Sequence, residues 1–121
     1  MKKILIVDDS AVFRKVVAMH LKTQGYEVIE AGDGLEAMDK LKNDQVNLIV
    51  CDVNMPNMDG LTFISKLRTD NQINKFTPII MLTTESQEEK KRQGMEAGAK
   101  AWLVKPFAPE QLLMAISKLI K

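Results

Sequence analysis

Four short apolar runs along the chain each stop abruptly at a polar residue. The runs end at Asp8, Asp52, Thr83 and Lys105. Short continuous apolar runs with polar boundaries are typical of strands buried on both faces, as in a parallel sheet. Because parallel strands share an edge at their carboxyl ends, we expect these four side chains to face one crevice, where open α/β sheets bind ligands.

Strand-like and helix-like segments alternate along the whole chain. Apolar residues at helical spacing, with glycine or proline near the segment ends, predict the helices. The predicted strands are residues 3–7, 28–31, 48–52, 78–83 and 101–104, and the predicted helices are residues 10–23, 35–43, 61–68, 86–97 and 109–120. Five strand–helix units joined by short loops predict a doubly wound α/β fold with right-handed crossovers. We interpret residues 1–121 as a single domain.

Composition narrows the class of protein. The chain has 121 residues and a formal net charge of +1, so no overall field favours nucleic acid. The single cysteine, Cys51, cannot form an internal disulfide, which favours a reducing compartment. No apolar stretch approaches the roughly 20 residues of a membrane span, and the first apolar run is too short for a signal peptide. We therefore expect a cytoplasmic protein that neither binds nucleic acid nor inserts into a membrane.

The polar residues at the predicted strand ends indicate a particular chemistry. Asp8, Asp9 and Asp52 would repel one another in a crevice unless a cation lies between them. Oxygen ligands alone select a hard divalent ion, and Mg²⁺ fits a site with few carboxylates. Lys105 adds a fixed positive charge and Thr83 a hydroxyl, a combination suited to phosphoryl transfer onto a carboxylate, which would give an aspartyl-phosphate.

Each of these residues also has a purely structural interpretation. Asp8, Asp9 or Ser10 could cap the first helix, and Asp52 could be an ordinary loop acid. Thr83 could be a strand-end hydroxyl, and Lys105 a surface lysine whose stem covers apolar neighbours. The functional interpretation depends on all four strand ends carrying complementary groups together.

The motifs in their order along the chain resemble the receiver domain of two-component response regulators. The resemblance covers all five units. The residues that carry it are Val7-Asp8-Asp9, Asp52, Met55-Pro56, Asp59-Gly60, Thr83 and Lys105-Pro106-Phe107. It implies a flavodoxin-like (βα)₅ fold with a five-stranded parallel sheet in the order 2-1-3-4-5.

The resemblance also implies a phosphoacceptor and a metal site. Asp52 resembles the aspartate that takes a phosphoryl group from a phosphohistidine of a histidine kinase. Asp8 and Asp9 resemble the acids that hold Mg²⁺, together with Asp52 and the backbone carbonyl of Asn54. The activity implied is limited to the protein's own phosphorylation and dephosphorylation, so we expect no enzyme in the ordinary sense.

Three further positions match the family's switch. Lys105 resembles the lysine that contacts the phosphoryl group, and the bond from Lys105 to Pro106 resembles the family's cis peptide. Thr83 resembles the hydroxyl that moves toward the phosphoryl oxygen. Trp102 occupies the position of the aromatic switch, usually Tyr or Phe, although a plain core tryptophan in the fifth strand is the alternative.

Within the family, the sequence resembles stand-alone chemotaxis regulators. Asn54, Glu85 and the basic run at residues 90–92 carry this similarity. It implies a monomer whose fourth helix, fifth strand and fifth helix form a face for a flagellar motor switch protein or a phosphatase. We expect Lys90, Lys91, Trp102 and Lys105 to border that face, although the basic run is equally interpreted as a solvated helix surface.

Three other functions remain as alternatives. A phosphate sink, which drains a kinase without docking an output partner, has the same sequence features. An aspartate-nucleophile phosphatase needs an acid two residues after the nucleophile, where this chain has Asn54. A flavin carrier needs a glycine- and hydroxyl-rich loop after the first strand, where this chain has acids.

Overall fold

Five strands and five helices alternate in a computed structural model that describes residues 1–71, 73–84 and 86–120. The strands are β1 (Lys3–Val7), β2 (Glu27–Ala31), β3 (Leu48–Asp52), β4 (Ile79–Thr83) and β5 (Ala101–Val104). The helices are α1 (Ala11–Thr23), α2 (Gly34–Lys40), α3 (Gly60–Asp70), α4 (Glu88–Ala97) and α5 (Pro109–Leu119).

All neighbouring strands pair in parallel, and their order in the sheet is β2-β1-β3-β4-β5. The register aligns Val7 with Cys51 and Asp52 with Leu82. The carboxyl ends of the strands therefore meet at one edge of the sheet. The predicted doubly wound α/β fold and its strand order are both confirmed.

The sheet separates two apolar cores. In one core, Val17 and Leu21 of α1 and Ile116 of α5 pack on side chains such as Ile4. In the other, residues of α2 and α3, including Phe63, pack on the opposite face. The apolar residues of β1, β3 and β4 beyond Lys3 are buried, because helices cover both faces of these three central strands. No helix of the described ranges is long and apolar enough to cross a membrane.

Side-chain caps fix where three of the helices begin. Ser10 accepts from the backbone N–H of Phe13, and Asp33 and Asp59 cap α2 and α3 in the same way. Since Asp59 is the cap, α3 begins at Gly60, one residue earlier than predicted. The prediction that α4 begins at Ser86 is wrong: the Gln87 side chain accepts from the Thr84 N–H at 2.6 Å and closes a turn ahead of the helix.

Arg68 joins three segments of chain at the amino-terminal side of the sheet. Its guanidinium donates to the carbonyl oxygens of Lys75 and Thr77 at 2.9 Å, and to that of Gly98 at 3.0 Å. Burial lowers the pKa of this group, and the carbonyl dipoles solvate its charge. The end of α3, the approach to β4 and the end of α4 are thereby connected through one side chain.

We expect the Arg68→Ala protein to lose about 2 kcal/mol of unfolding free energy, because three carbonyls lose a charged donor. Chemical denaturation monitored by circular dichroism measures the loss. Lys66→Ala, an exposed lysine on the same helix, is the control and should leave stability unchanged. An Arg68→Ala protein as stable as the control would contradict the structural role.

Candidate functional site

Three carboxylates converge at the carboxyl edge of the sheet. One oxygen from each of Asp8, Asp9 and Asp52 lies within 4.8 Å of the others. Asp8 is fully buried, the Asp52 side chain is 13% exposed, and Asp9 is exposed. The structure thus brings together the three acids that the sequence placed at the ends of the first and third strands.

The chain turns sharply after β1, which lets two consecutive acids approach the same point. The Ser10 N–H donates to Asp8 Oδ1 at 2.9 Å, and the Asp8 N–H donates to the Ala31 carbonyl at 3.1 Å. Ser10 also caps α1, so the structural interpretation of Ser10 is correct. It supports the cluster because the capped helix holds the turn in place.

Lys105 bridges two of the acids. Its Nζ lies 2.7 Å from Asp8 Oδ2 and 3.2 Å from Asp52 Oδ2. The ammonium also lies 4.3 Å from the centre of the Phe13 ring, a cation–π distance, and the Lys105–Pro106 bond is cis. Burial works against its charge, but the hydrogen bond to Asp8 and the charges of both acids outweigh burial and raise the pKa of Lys105.

Burial raises the pKa of the Asp52 carboxyl above its ordinary value of 3.8. The neighbouring charge of Asp8 adds to this rise, and Lys105 counteracts only part of it. The ionised form of Asp52 is therefore less stable in the metal-free folded protein than in the unfolded chain. A further cation in the cluster would remove this cost.

We expect the metal-free Asp52→Asn protein to be more stable than wild type at neutral pH. An acid with a raised folded-state pKa binds its proton more tightly when folded, so its ionisation costs stability above that pKa. The advantage of the variant should shrink as the pH falls through the raised pKa and vanish below 3.8. Denaturant melts in chelator at several pH values test this, with the exposed Asp39→Asn as control. A difference that does not vary with pH would contradict it.

Asn54 lies at the mouth of the cluster. Its N–H donates to Asp52 Oδ1 at 3.4 Å, and its side-chain oxygen accepts from Lys90 Nζ at 2.8 Å. The ammonium groups of Lys90 and Lys105, two of the residues expected at the border of the face of α4, β5 and α5, are directed to the site. Glu85, which with Asn54 carries the similarity to chemotaxis regulators, lies outside the described residues.

Thr83 ends β4 next to the strand that carries Asp52. It is buried, lies one position beyond the Asp52–Leu82 pair, and its carbonyl accepts from the Lys105 N–H at 2.7 Å. A cavity of about 120 Å³, lined by Thr83, Gln87 and Lys91 among others, adjoins it. Thr83 is therefore at the predicted edge, with space beside it toward α4.

Trp102 is 39% exposed and is not a core residue. The interpretation of Trp102 as a plain core tryptophan is wrong, because β5 is an edge strand and the ring extends over α4. Lys91 Nζ lies 3.7 Å from the ring centre, and Trp102 and Met95 line an open groove of about 650 Å³. The aromatic residue thus lies on the surface that the sequence predicted for docking.

The donor set fits Mg²⁺. The clustered ligand atoms are carboxylate oxygens, and histidine or cysteine is absent from the cluster among the described residues. Three carboxylates share the single ammonium of Lys105, so the cluster has more negative charge than Lys105 alone offsets. A site of this kind has room for a small cation with several waters and a phosphoryl oxygen.

Sequence reasoning missed two residues that shape the site. Phe13 lies in the first predicted helix, where it was interpreted only as one of the apolar residues at helical spacing, but its ring contacts the Lys105 ammonium. Gly60 closely approaches the Asp52 backbone: a Cβ at this position would overlap the Asp52 carbonyl oxygen and lie 2.9 Å from Val53 Cα. Helical spacing from Ser10 could have placed Phe13 near the site, whereas no sequence pattern predicts the approach at Gly60.

Comparison with known proteins identifies the family. The family profile of the response regulator receiver domain matches residues 4–117. The structure is similar to that of the chemotaxis response regulator CheY4 of Vibrio cholerae, with 47% identity, a TM-score of 0.91 and 99% of both chains covered. It is also similar to the receiver domain of the sensor histidine kinase PA1611 of Pseudomonas aeruginosa PAO1, at 27% identity and a TM-score of 0.89 over 98% of this chain and 97% of that one. The PA1611 domain holds a magnesium ion in its active site cleft.

The curated relatives include longer proteins. The transcriptional regulatory protein SrrA of Staphylococcus aureus is 36% identical over 98% of this chain, which corresponds to 48% of SrrA. The chain therefore spans about half the length of this relative. Because the family profile covers nearly all of the chain and the fold agrees, the chain belongs to the response regulator receiver domains, the phosphorelay modules of two-component signalling.

Proposed function

We propose that this protein is a Mg²⁺-dependent phosphoacceptor switch and that Asp52 is the acceptor. The observation that carries the proposal is the convergence of three carboxylate oxygens within 4.8 Å of one another, together with the ion pairs that the Lys105 ammonium forms with two of the acids. Asp8, Asp9, Asp52 and the backbone carbonyl of Asn54 would hold the ion. When bound, Mg²⁺ would neutralise charge on the phosphoryl oxygens.

The proposed step is a transfer between two nucleophiles. A carboxylate oxygen of Asp52 attacks the phosphorus of a phosphohistidine on a histidine kinase, and a P–O bond forms. The P–N bond breaks, and its electron pair stays on the imidazole nitrogen, which takes a proton. Lys105 lies 3.2 Å from Asp52 and supplies positive charge where negative oxygens arrive.

The protein acts only on its own aspartate in this proposal, and it is not a phosphatase of external esters. Such a phosphatase needs an acid two residues after the nucleophile, and the amide of Asn54 cannot donate a proton in that way. Incubation with a phosphate monoester would reveal turnover if this assignment were wrong.

Thr83 and Trp102 are the proposed output elements. The negative charge on phosphorylated Asp52 would draw the Thr83 hydroxyl toward it, and Trp102 would follow toward the vacated space beside α4. This movement would change the groove between α4 and β5. The fluorescence of Trp102, the single tryptophan, should then change on phosphorylation.

Intact mass spectrometry tests the phosphoacceptor proposal. Wild-type protein incubated with a small acyl phosphate and Mg²⁺ should gain one phosphoryl group, and chelator should prevent the gain. Asp52→Asn is the matched control, since it keeps the shape of the side chain but lacks the nucleophilic carboxylate. No gain by the wild type, despite measured Mg²⁺ binding, would contradict the proposal.

We further propose a chemotaxis role as a cytoplasmic monomer, with a flagellar motor switch protein or a phosphatase bound through α4, β5 and α5. The similarity to CheY4 over nearly the whole of both chains supports this role. The alternative is the receiver part of a longer transcriptional regulator, which the SrrA similarity favours. Binding of motor switch peptides to phosphorylated and unmodified protein separates the two. Equal affinity would contradict the chemotaxis role and favour a sink or a different output.

A further inference from the structure

Arg14 supports the turn that carries two of the three acids. Consecutive side chains in an extended strand point to opposite sides, so Asp8 and Asp9 reach one cluster only because the backbone turns between β1 and α1. The Asp8 carbonyl is part of this turn. Arg14 Nη1 donates to that carbonyl at 2.5 Å from the second turn of α1.

Glu30 of β2 holds the Arg14 guanidinium in this orientation. Arg14 Nε donates to Glu30 Oε1 at 3.1 Å, and the two side chains are 17% and 18% exposed. Lys15 binds the other oxygen of Glu30 at 2.9 Å, but its own side chain is 72% exposed. Because a guanidinium is planar and rigid, fixing Nε on Glu30 also fixes the direction of Nη1 toward Asp8.

The loop after β2 lies close to the Arg14 guanidinium. A Cβ on Gly32 would lie 3.6 Å from Arg14 Nη1 and 3.3 Å from Glu36 Oε1. The Gly32 N–H donates to that Glu36 oxygen at 2.5 Å, so the loop after β2 is also held next to Arg14. Arg14 is thus a part-buried connection between α1, β2 and the acid-bearing turn.

The positive charge of Arg14 and its contact with the Asp8 carbonyl have opposite effects on Mg²⁺ binding. A cation close to the cluster would weaken Mg²⁺ binding by repulsion, and its removal would then strengthen binding. The carboxylate of Glu30 neutralises the guanidinium at close range, which reduces this repulsion. The two effects therefore predict opposite signs for the same substitution.

We propose that Arg14 is a positioning residue for Mg²⁺: by holding the Asp8 carbonyl, it keeps the carboxylates of Asp8 and Asp9 on a common point without contacting the ion. This inference rests on the proposed function, because it presumes that the acid cluster binds Mg²⁺. Outer residues that orient metal ligands typically change metal affinity by about 10- to 100-fold when substituted.

Isothermal titration with Mg²⁺, with no phosphodonor present, tests the inference. Arg14→Ala should weaken Mg²⁺ binding about tenfold. Lys15→Ala is the matched control: it removes the other cation from Glu30 but no contact with Asp8, so Mg²⁺ affinity should be unchanged. Arg14→Lys, which can reach the Asp8 carbonyl or Glu30 but not span both, should give an intermediate affinity and replaces Arg14→Ala if that protein does not fold.

Thermal melts in chelator separate positioning from general stability. A lower melting temperature of Arg14→Ala with unchanged or tighter Mg²⁺ binding would overturn the inference and leave Arg14 a structural residue. Equal weakening in Lys15→Ala would also overturn it. Failure of the wild type to bind Mg²⁺ would instead overturn the proposed function, so the two failures are distinguishable.

Discussion

In the absence of divalent cations, the free energy of unfolding of the Lys105→Met protein should be about 3 kcal/mol lower than that of the wild type, because the part-buried acids lose the ammonium that they share. Lys105 Nζ is 2.7 Å from the fully buried Asp8 carboxylate and 3.2 Å from Asp52. Methionine keeps a similar length and apolar stem but leaves the acids to repel each other. Denaturant melts in chelator measure the effect.

Mg²⁺ should restore part of the stability that Lys105→Met loses, because a bound cation replaces the missing ammonium and stabilises only the folded state. Lys100→Met, at an exposed lysine just before β5, is the control and should be close to wild type in both conditions. A Lys105→Met protein as stable as this control in chelator would show that the ion pairs contribute nothing. A deficit that Mg²⁺ does not reduce would contradict the assignment of the cluster as a cation site.

The Gly60→Ala substitution should lower the free energy of unfolding by about 3 kcal/mol and also impair phosphorylation. The added methyl group would overlap backbone atoms, which can shift only at a large energetic cost. The new Cβ would overlap the Asp52 carbonyl oxygen and lie 2.9 Å from Val53 Cα. The Gly60 N–H also donates to the Val53 carbonyl at 2.9 Å, which holds the start of α3 against the end of β3. Relief of the overlap therefore displaces Asp52 itself.

Gly94→Ala is the control for this substitution. The new Cβ would meet the Sδ and Cε atoms of Met81, which are the far end of a flexible side chain. Gly94 also lies within α4, where alanine is favoured over glycine by about 1 kcal/mol of helix propensity. We expect a much smaller loss of stability and normal phosphorylation from it. Denaturant melts and the rate of mass gain from an acyl phosphate compare the two proteins. Equal losses of stability and equal phosphorylation rates in the two proteins would contradict the role of the close contact between Gly60 and the Asp52 backbone.

The pattern of apolar runs predicted the sheet and its functional edge for a physical reason. Strands covered by helices on both faces need apolar side chains throughout, so β3 and β4 appear in the sequence as continuous runs. Their polar termini, Asp52 and Thr83, then mark the carboxyl edge of the sheet, where the polar groups of the site lie. The strand order came from the family resemblance, since the pattern alone does not order strands.

Other features depend on contacts that a linear pattern does not contain. Lys90 was assigned to a docking face, but its ammonium reaches Asn54 across 36 positions in sequence. The sequence left open whether Trp102 is a core or a surface residue. It is exposed because it lies on an edge strand of the sheet. The role of Arg14 depends on Glu30 and Asp8 lying on different elements, which only the folded chain brings together.

The most direct test of the central claim is to identify the phosphorylated residue chemically. After incubation with an acyl phosphate and Mg²⁺, borohydride reduces an aspartyl-phosphate to homoserine and releases phosphate, and peptide mass spectrometry locates the product. The account predicts homoserine at position 52 of the wild type, and none when Mg²⁺ is chelated before phosphorylation. Homoserine at a different aspartate, or undiminished phosphorylation of Asp52→Asn, would contradict it.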